Sequence, residues 1–260
     1  LIQIFKYSSG LEGKTLTVFE YLYEGEDAKY GDDTYIALHD DISDVNQTVS
    51  VVDVHTTALG DGSNEHIAKA AEKVVINDTV KYRGLTVGEI YDVVGKLMTV
   101  DADGKEVAVL DADNNEVKAK TTFKAEKSEG EVVVAFEFNG VNLAGTKVVA
   151  FEDIMQGDKL IVSHADINDE DQTVVFPKIG TTLTDKRGSH TVATADEVTL
   201  IDKVDYSNLI AGKTYTMKGT LMVKTTDEKG NVTTEELKDK DGNAVTATAE
   251  FTPEEAYGSV

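Results

Sequence analysis

The chain has 260 residues, 48 of them acidic and 25 basic, for a formal net charge of −23. Such acidity excludes a general nucleic-acid binder, because phosphate binding depends on clustered Lys and Arg. The absence of Cys excludes disulfide scaffolds, zinc-thiolate sites and thiol enzymes. No apolar run approaches the ~20 residues of a membrane-spanning helix, and the first residues do not read as a signal peptide. At 40% hydrophobic, the chain has enough apolar residues for a core, and its length predicts one or two domains.

Taken in chain order, the predicted elements are all β. Residues 73–80 and 90–100 are short runs rich in β-branched residues. Residues 131–138 read Glu-Val-Val-Val-Ala-Phe-Glu-Phe, and 147–151 and 159–164 follow. Residues 197–204 and 213–224 repeat the early strands. Turn signals separate the runs at Asp103-Gly104, Asp113-Asn114-Asn115, Asn139-Gly140, Gln156-Gly157-Asp158, Lys229-Gly230-Asn231 and Asp241-Gly242-Asn243. Residues 64–71 are expected to form at most one helical turn. Seven or more short strands at ~8–12-residue spacing predict an antiparallel β-sandwich of immunoglobulin type.

Internal repetition organises the chain. His39-Asp40-Asp41-Ile42-Ser43-Asp44-Val45-Asn46-Gln47-Thr48-Val49 recurs as His164-Ala165-Asp166-Ile167-Asn168-Asp169-Glu170-Asp171-Gln172-Thr173-Val174, displaced by 164 − 39 = 125 positions. Thr56-Thr57 recurs as Thr181-Thr182 at the same displacement. Asp78-Thr79-Val80-Lys81-Tyr82 recurs as Asp202-Lys203-Val204-Asp205-Tyr206, and Val18-Phe19-Glu20 as Ala150-Phe151-Glu152. Residues 49–173 therefore form one complete unit. Residues 1–48 hold only its late blocks, and 174–260 only its early ones. Val260 corresponds to Val132 and Leu1 to Val133, so the end reads into the beginning. This predicts a tile of a longer repetitive protein or fibre, or a circular permutant. The link over 174–178 is short and contains Pro177, which favours stiff end-to-end stacking.

A strand pattern alone has no need for a His and a Gln held eight residues apart. On one copy alone, the bland reading of a turn His and an ordinary strand Gln would lead; recurrence with the Thr-Thr and Phe-Glu blocks reverses it. These motifs together resemble the tandem immunoglobulin-like (VaFE-type, CnaB-type) repeats of Gram-positive surface adhesins that carry Thr–Gln ester crosslinks. The resemblance rests on Val149-Ala150-Phe151-Glu152, Ser163-His164-Ala165-Asp166 and Asp171-Gln172-Thr173 and covers the whole chain. It implies a threonine of the first strand attacking a glutamine amide of the last, with loss of ammonia and no cofactor. In the complete unit it implies Thr56 as nucleophile, Gln172 as acyl donor, His164 as base, and Asp78 and Glu152 as acidic helpers. In the split unit the corresponding residues are Thr181, Gln47, His39, Asp202 and Glu20.

The chemistry is coherent. A Thr hydroxyl needs an adjacent base, commonly His. The developing oxyanion needs a donor, which a protonated acid supplies. Two carboxyls in one buried site are expected to keep a proton between them. Intramolecular orientation contributes ~7–11 kcal/mol of barrier.

Other features read more plainly. His55 has Gly180 as its counterpart and is expected at the surface; His66 and His190 are expected to be solvated. The clusters 111–113 and 166–171 lack calcium-loop spacing and read as turns, so no metal is expected. Three functions compete: a stapled stalk module, a sandwich that itself binds a host ligand, and a hydrolase using Thr, His and Asp. Loops of Asp, Gly, Asn and Lys favour the stalk, and a recurring Gln argues against an enzyme. The resemblance implies an extracellular, wall-anchored location. Its implied partners are neighbouring repeats or head-to-tail copies, and a host ligand at the tip of the full-length protein.

Overall fold

Val74, Ile76, Asp78, Val80 and Tyr82 are buried in strict alternation, the period of a strand with one face on a core. This strand belongs to a computed structural model that describes residues 2–8, 10–25, 34–60, 65–195 and 197–260. The chain divides into one unit of Leu1–Leu143 with Lys147–Val174 and another of Ala144–Thr146 with Val175–Val260.

The first unit begins with β1 (Thr15–Thr17), β2 (Glu20–Leu22), β3 (Ala37–His39), a 3-10 turn at Val45–Gln47 and β4 (Thr48–Ser50). β1 pairs with β4 and β2 with β3. Then follow β5 (Asp53–Gly60), β6 (Val74–Arg83), β7 (Ile90–Val100), β8 (Glu106–Ala108), β9 (Lys118–Lys124), β10 (Glu129–Phe138), β11 (Lys147–Gln156), β12 (Lys159–His164) and β13 (Thr173–Val175). One sheet runs β10-β6-β5; the other runs β12-β11-β7-β8, with β9 on β7 and β13 on β11. Their ladders are antiparallel. The two sheets face each other closely. A Cβ on Gly95 of β7 would lie 2.5 Å from the ring of Phe136 on β10. Phe136, Ile76, Leu97, Ile154 and Val134 fill the space between. The fold is an all-β, immunoglobulin-like antiparallel sandwich.

The second unit holds β14 (Lys178–Asp185), β15 (Leu200–Ser207), β16 (Tyr215–Thr220), β17 (Met222–Thr226), β18 (Val232–Glu236), β19 (Thr246–Phe251) and β20 (Gly258–Ser259). β15 lies between β14 and β20; β16 pairs with β19 and β17 with β18.

Three expectations shift. The run 213–224 is interrupted at Leu221, whose backbone N–H donates to Val245 and whose C=O accepts from Leu237. The partner strand changes there, so one predicted strand becomes two. The strand expected over 197–204 lies at Leu200–Ser207. No helical turn forms over 65–71, where Glu65 bridges back to Gly60; residue 64 lies outside the described residues. The acidic hairpins are turns. Asp111 Oδ1 accepts from the backbone N–H groups of Asp113 and Asn115, with Asn114 at φ 64°, a conformation Asn tolerates.

Candidate functional site

Thr56 and Asp78 occupy the inward rows of adjacent strands. Thr56 is opposite Val80, and Asp78 is opposite Ala58. Both polar side chains are fully buried at positions otherwise filled by Ala58, Ile76 and Val80. Glu152 comes from the facing sheet, on β11 between Gly95 of β7 and His164 of β12. Gln172 sits just before β13, where the chain bonds to both sheets. The Asp171 carbonyl accepts from Ala58 N–H, and the Gln172 carbonyl accepts from Ala150 N–H. That double attachment aims the Gln172 side chain into the core, where it is 1% exposed.

There the Gln172 side-chain amide donates to Thr56 Oγ1 and to Asp78 Oδ1 at 3.3 Å. The amide carbon lies one covalent bond beyond that nitrogen, so hydroxyl and acyl carbon are neighbours. Four buried acceptor oxygens, Asp78 Oδ2, both oxygens of Glu152 and Gln172 Oε1, have no hydrogen-bond donor. Such acceptors cost about 1–3 kcal/mol each when unsatisfied, and one retained carboxyl proton supplies the missing donor.

The electrostatics place that proton. Burial, then the nearby Asp78 charge, pushes the Glu152 carboxyl up to about 10. Burial also raises Asp78, against the opposing pull of the proton shared with Glu152 and of hydrogen bonds from the Gln172 amide and the Thr57 backbone. Glu152 is therefore a neutral acid at pH 7, able to donate to an oxygen that becomes negative.

His164 is half-buried on β12, and its Nε2 lies 2.8 Å from Asp169 Oδ2. It hydrogen-bonds Asp169 rather than Thr56 among the described residues. Asp169 was not singled out from the sequence as a site residue, although it recurs in register with Asp44.

The split set is placed in two parts. In the first unit, Glu20 is opposite His39, Gln47 Nε2 donates to Glu20 Oε2 at 3.0 Å, and His39 Nε2 lies 3.0 Å from Asp44 Oδ2. In the second, Thr181 is opposite Val204 and Leu183 opposite Asp202. These registers reproduce Thr56–Val80 and Ala58–Asp78. Thr181, Asp202, Glu20 and His39 are exposed, whereas Gln47 is half-buried, with its Oε1 buried.

Of the remaining histidines, His55 and His190 are exposed. His66 departs from expectation: it is half-buried, with Nδ1 3.2 Å from the Thr173 carbonyl. No cluster of three or more His, Asp or Glu side chains fit to hold a metal occurs among the described residues. No helix among them is long and apolar enough to cross a membrane.

A family model described as the T-Q ester bond containing domain matches residues 6–51, 52–176 and 177–260. Two solved structures of a Mobiluncus mulieris adhesin "containing intramolecular disulfide, isopeptide, and ester bond cross-links" are similar. The P21 form is 14% identical and covers 78% of this chain and 98% of its own, with a TM-score of 0.41. The P1 form is 14% identical and covers 80% and 96%, with a TM-score of 0.39. A family 2 glycosyl hydrolase of Bacteroides cellulosilyticus, 14% identical, covers 52% of this chain and 16% of its own, with a TM-score of 0.34. No curated protein matches.

Proposed function

The chain belongs to the family of T-Q ester bond containing domains, and from that premise we propose that it is a stalk or fibre module of a bacterial cell-surface adhesin, stapled by an ester between Thr56 and Gln172. The family sets it among cross-link modules rather than enzymes. The observation that carries the reading is the Gln172 amide held against the Thr56 hydroxyl in a buried site with a neutral acid. His164 takes the Oγ1 proton as Oγ1 attacks the Gln172 carbonyl carbon. Glu152 donates to the oxyanion forming at Oε1. Asp78 Oδ1 holds the amide nitrogen, which leaves as ammonia with the proton returned by His164. One C–O bond forms and one C–N bond breaks, so hydroxyl plus amide gives ester plus ammonia.

Several features support a structural role. The bond joins the first strand of the unit to the segment entering its last, so a load applied at the two ends passes through the ester. The repetition is tandem, and the charge of −23 keeps such a stalk solvated. An ester is indifferent to redox poise, which suits a chain without Cys. We place the module outside a Gram-positive cell, wall-anchored, as a CnaB-type sandwich stacked end to end with its neighbours. The exposed half-sites are read as closing between neighbours, Thr181 and Asp202 of one copy with Gln47, His39 and Glu20 of the next, head to tail. Peptide mapping of the digested chain tests the staple. A peptide pair joined through Thr56 and Gln172 and cleaved by hydroxylamine is expected; separate, unmodified peptides would reject it.

A further inference from the structure

We propose that His66 is a positioning residue whose imidazole takes the place of a backbone N–H and holds the last strand in register beside Gln172, keeping the amide against Thr56. This rests on the ester reading of the site and adds a residue outside the reacting set. Three consecutive carbonyls fix the segment that delivers Gln172. The Asp171 carbonyl accepts from Ala58 N–H of β5 at 2.9 Å, and the Gln172 carbonyl accepts from Ala150 N–H of β11 at 3.1 Å. The Thr173 carbonyl lies 3.2 Å from His66 Nδ1. Backbone groups two residues apart in an extended chain point to the same side, so the Thr173 carbonyl is turned the same way as that of Asp171. By the same alternation, the N–H of β5 that follows Ala58 on that side is Gly60. It donates instead to the Glu65 carbonyl at 2.9 Å, where β5 ends. That bond brings Glu65 back to the strand end and sets the next residue, His66, against Thr173. A carbonyl oxygen only accepts, so His66 Nδ1 carries the ring proton.

The device recurs, and its second copy shows it without a last strand. His66 has His190 as its counterpart, displaced by 190 − 66 = 124 positions as Asp202 is from Asp78. Asp185 N–H donates to the Ser189 carbonyl at 2.9 Å, repeating the bond from Gly60 to Glu65. His190 Nδ1 lies 3.0 Å from the Leu183 carbonyl, on its own first strand, at the position Ala58 holds in the complete unit. The recurring histidine thus bonds the last strand where one is present and its own first strand where none is. His66 is half-buried and His190 exposed.

Asn and Asp have one shape and differ in the donor, so they isolate it. Ammonia loss of the full chain is followed by intact mass after cell-free synthesis, with the fold of each variant checked by circular dichroism. His66→Asp, which sets a second acceptor against the Thr173 carbonyl, should slow the loss about 10–10²-fold, the scale of a ~1 Å misplacement. His66→Asn, whose amide can donate from the place of Nδ1, should restore most of that rate. A histidine that served stability alone would lower the melting midpoint and leave the rate of the folded chain unchanged. Hydrogen exchange in the Thr56→Ala chain reads the docking without the ester: the Ala58 amide should exchange about 10-fold faster with His66→Asp than with His66→Asn. A wild-type rate in folded His66→Asp, equal slowing by Asn and Asp, or equal Ala58 exchange overturns the proposal. If His66→Asp does not fold, 15N-histidine spectra of the Thr56→Ala chain decide: a neutral His66 protonated on Nδ1 is expected, and one protonated on Nε2 overturns it. A wild-type chain that never loses ammonia rejects the ester reading instead, and Ala58 exchange then still decides the role of His66.

Discussion

Gln172 and Thr56 are 116 positions apart in the chain, yet the amide of one donates to the hydroxyl of the other inside the core. Neighbouring backbone bonds hold them there. Ala58 N–H, two residues beyond Thr56, donates to the carbonyl of Asp171, the residue before Gln172. The nucleophile and the acyl donor are thus fixed by the sandwich itself, and the reaction needs only proton handling.

Closing a loop of this length constrains the unfolded chain. The loop-entropy model for disulfides gives about 5 kcal/mol for such a span. Thr56→Ala or Gln172→Ala should lower the melting midpoint of the central unit by about 10–20 °C. Thr56→Ser, which keeps the nucleophile, should remain close to wild type. Calorimetry decides: equal midpoints for Thr56→Ala and wild type would mean that no staple forms.

Stability of the unstapled unit should fall as pH rises. The Glu152 carboxyl goes from 4.5 to about 10 on folding, so the native state binds more protons than the unfolded one within that window. The contribution is fully present below the unfolded value and lost as pH climbs through the folded one, with a slope of up to about 1.4 kcal/mol per pH unit for one proton. Melts of Thr56→Ala across this range should show the decline, and adding Glu152→Gln should flatten it. A midpoint that climbs over the same window would show that Glu152 is ionised in the fold.

Gly95 lies opposite Glu152, and an added Cβ would sit 2.5 Å from the fully buried Phe136 ring. Gly95→Ala should therefore cost about 1–3 kcal/mol by overpacking and slow ester formation next to it. At its counterpart Gly219, an added Cβ would meet no atom within 4 Å, so Gly219→Ala should stay within about 0.5 kcal/mol. Chemical denaturation of both variants checks the contrast, and equal costs would show that close sheet packing is not what Gly95 serves.

The exposed half-sites predict concentration-dependent covalent joining. On denaturing gels, a ladder of multiples should grow with chain concentration and vanish in Thr181→Ala or Gln47→Ala, while Thr56→Ala leaves it intact. A lone monomer band at every concentration would reject head-to-tail closure without touching the central unit.

Much of the site was legible because the chain contains its own comparison. Recurrence marked the blocks that hold Thr56, Asp78, Glu152, His164 and Gln172, the family resemblance singled those residues out within them, and the structure gathers Thr56, Asp78, Glu152 and Gln172 in one buried site with His164 paired beside Glu152. Recurrence also carried Asp169, but periodicity offered no reason to separate it from the turn-forming acids around it. Its second oxygen acquires meaning only once β12 presents His164. The break at Leu221 was not legible, since a change of hydrogen-bonding partner leaves no mark in a β-rich run. Nor was the half-burial of His66, which depends on contact with Thr173, 107 positions away.

Joining Thr56 to Gln172 in an ester releases one ammonia from the chain. Intact-mass measurement of the dilute full chain tests it most directly. A mass one ammonia below that of the sequence is expected, restored in full by Thr56→Ala; a wild-type mass equal to the sequence mass would mean that no ester forms.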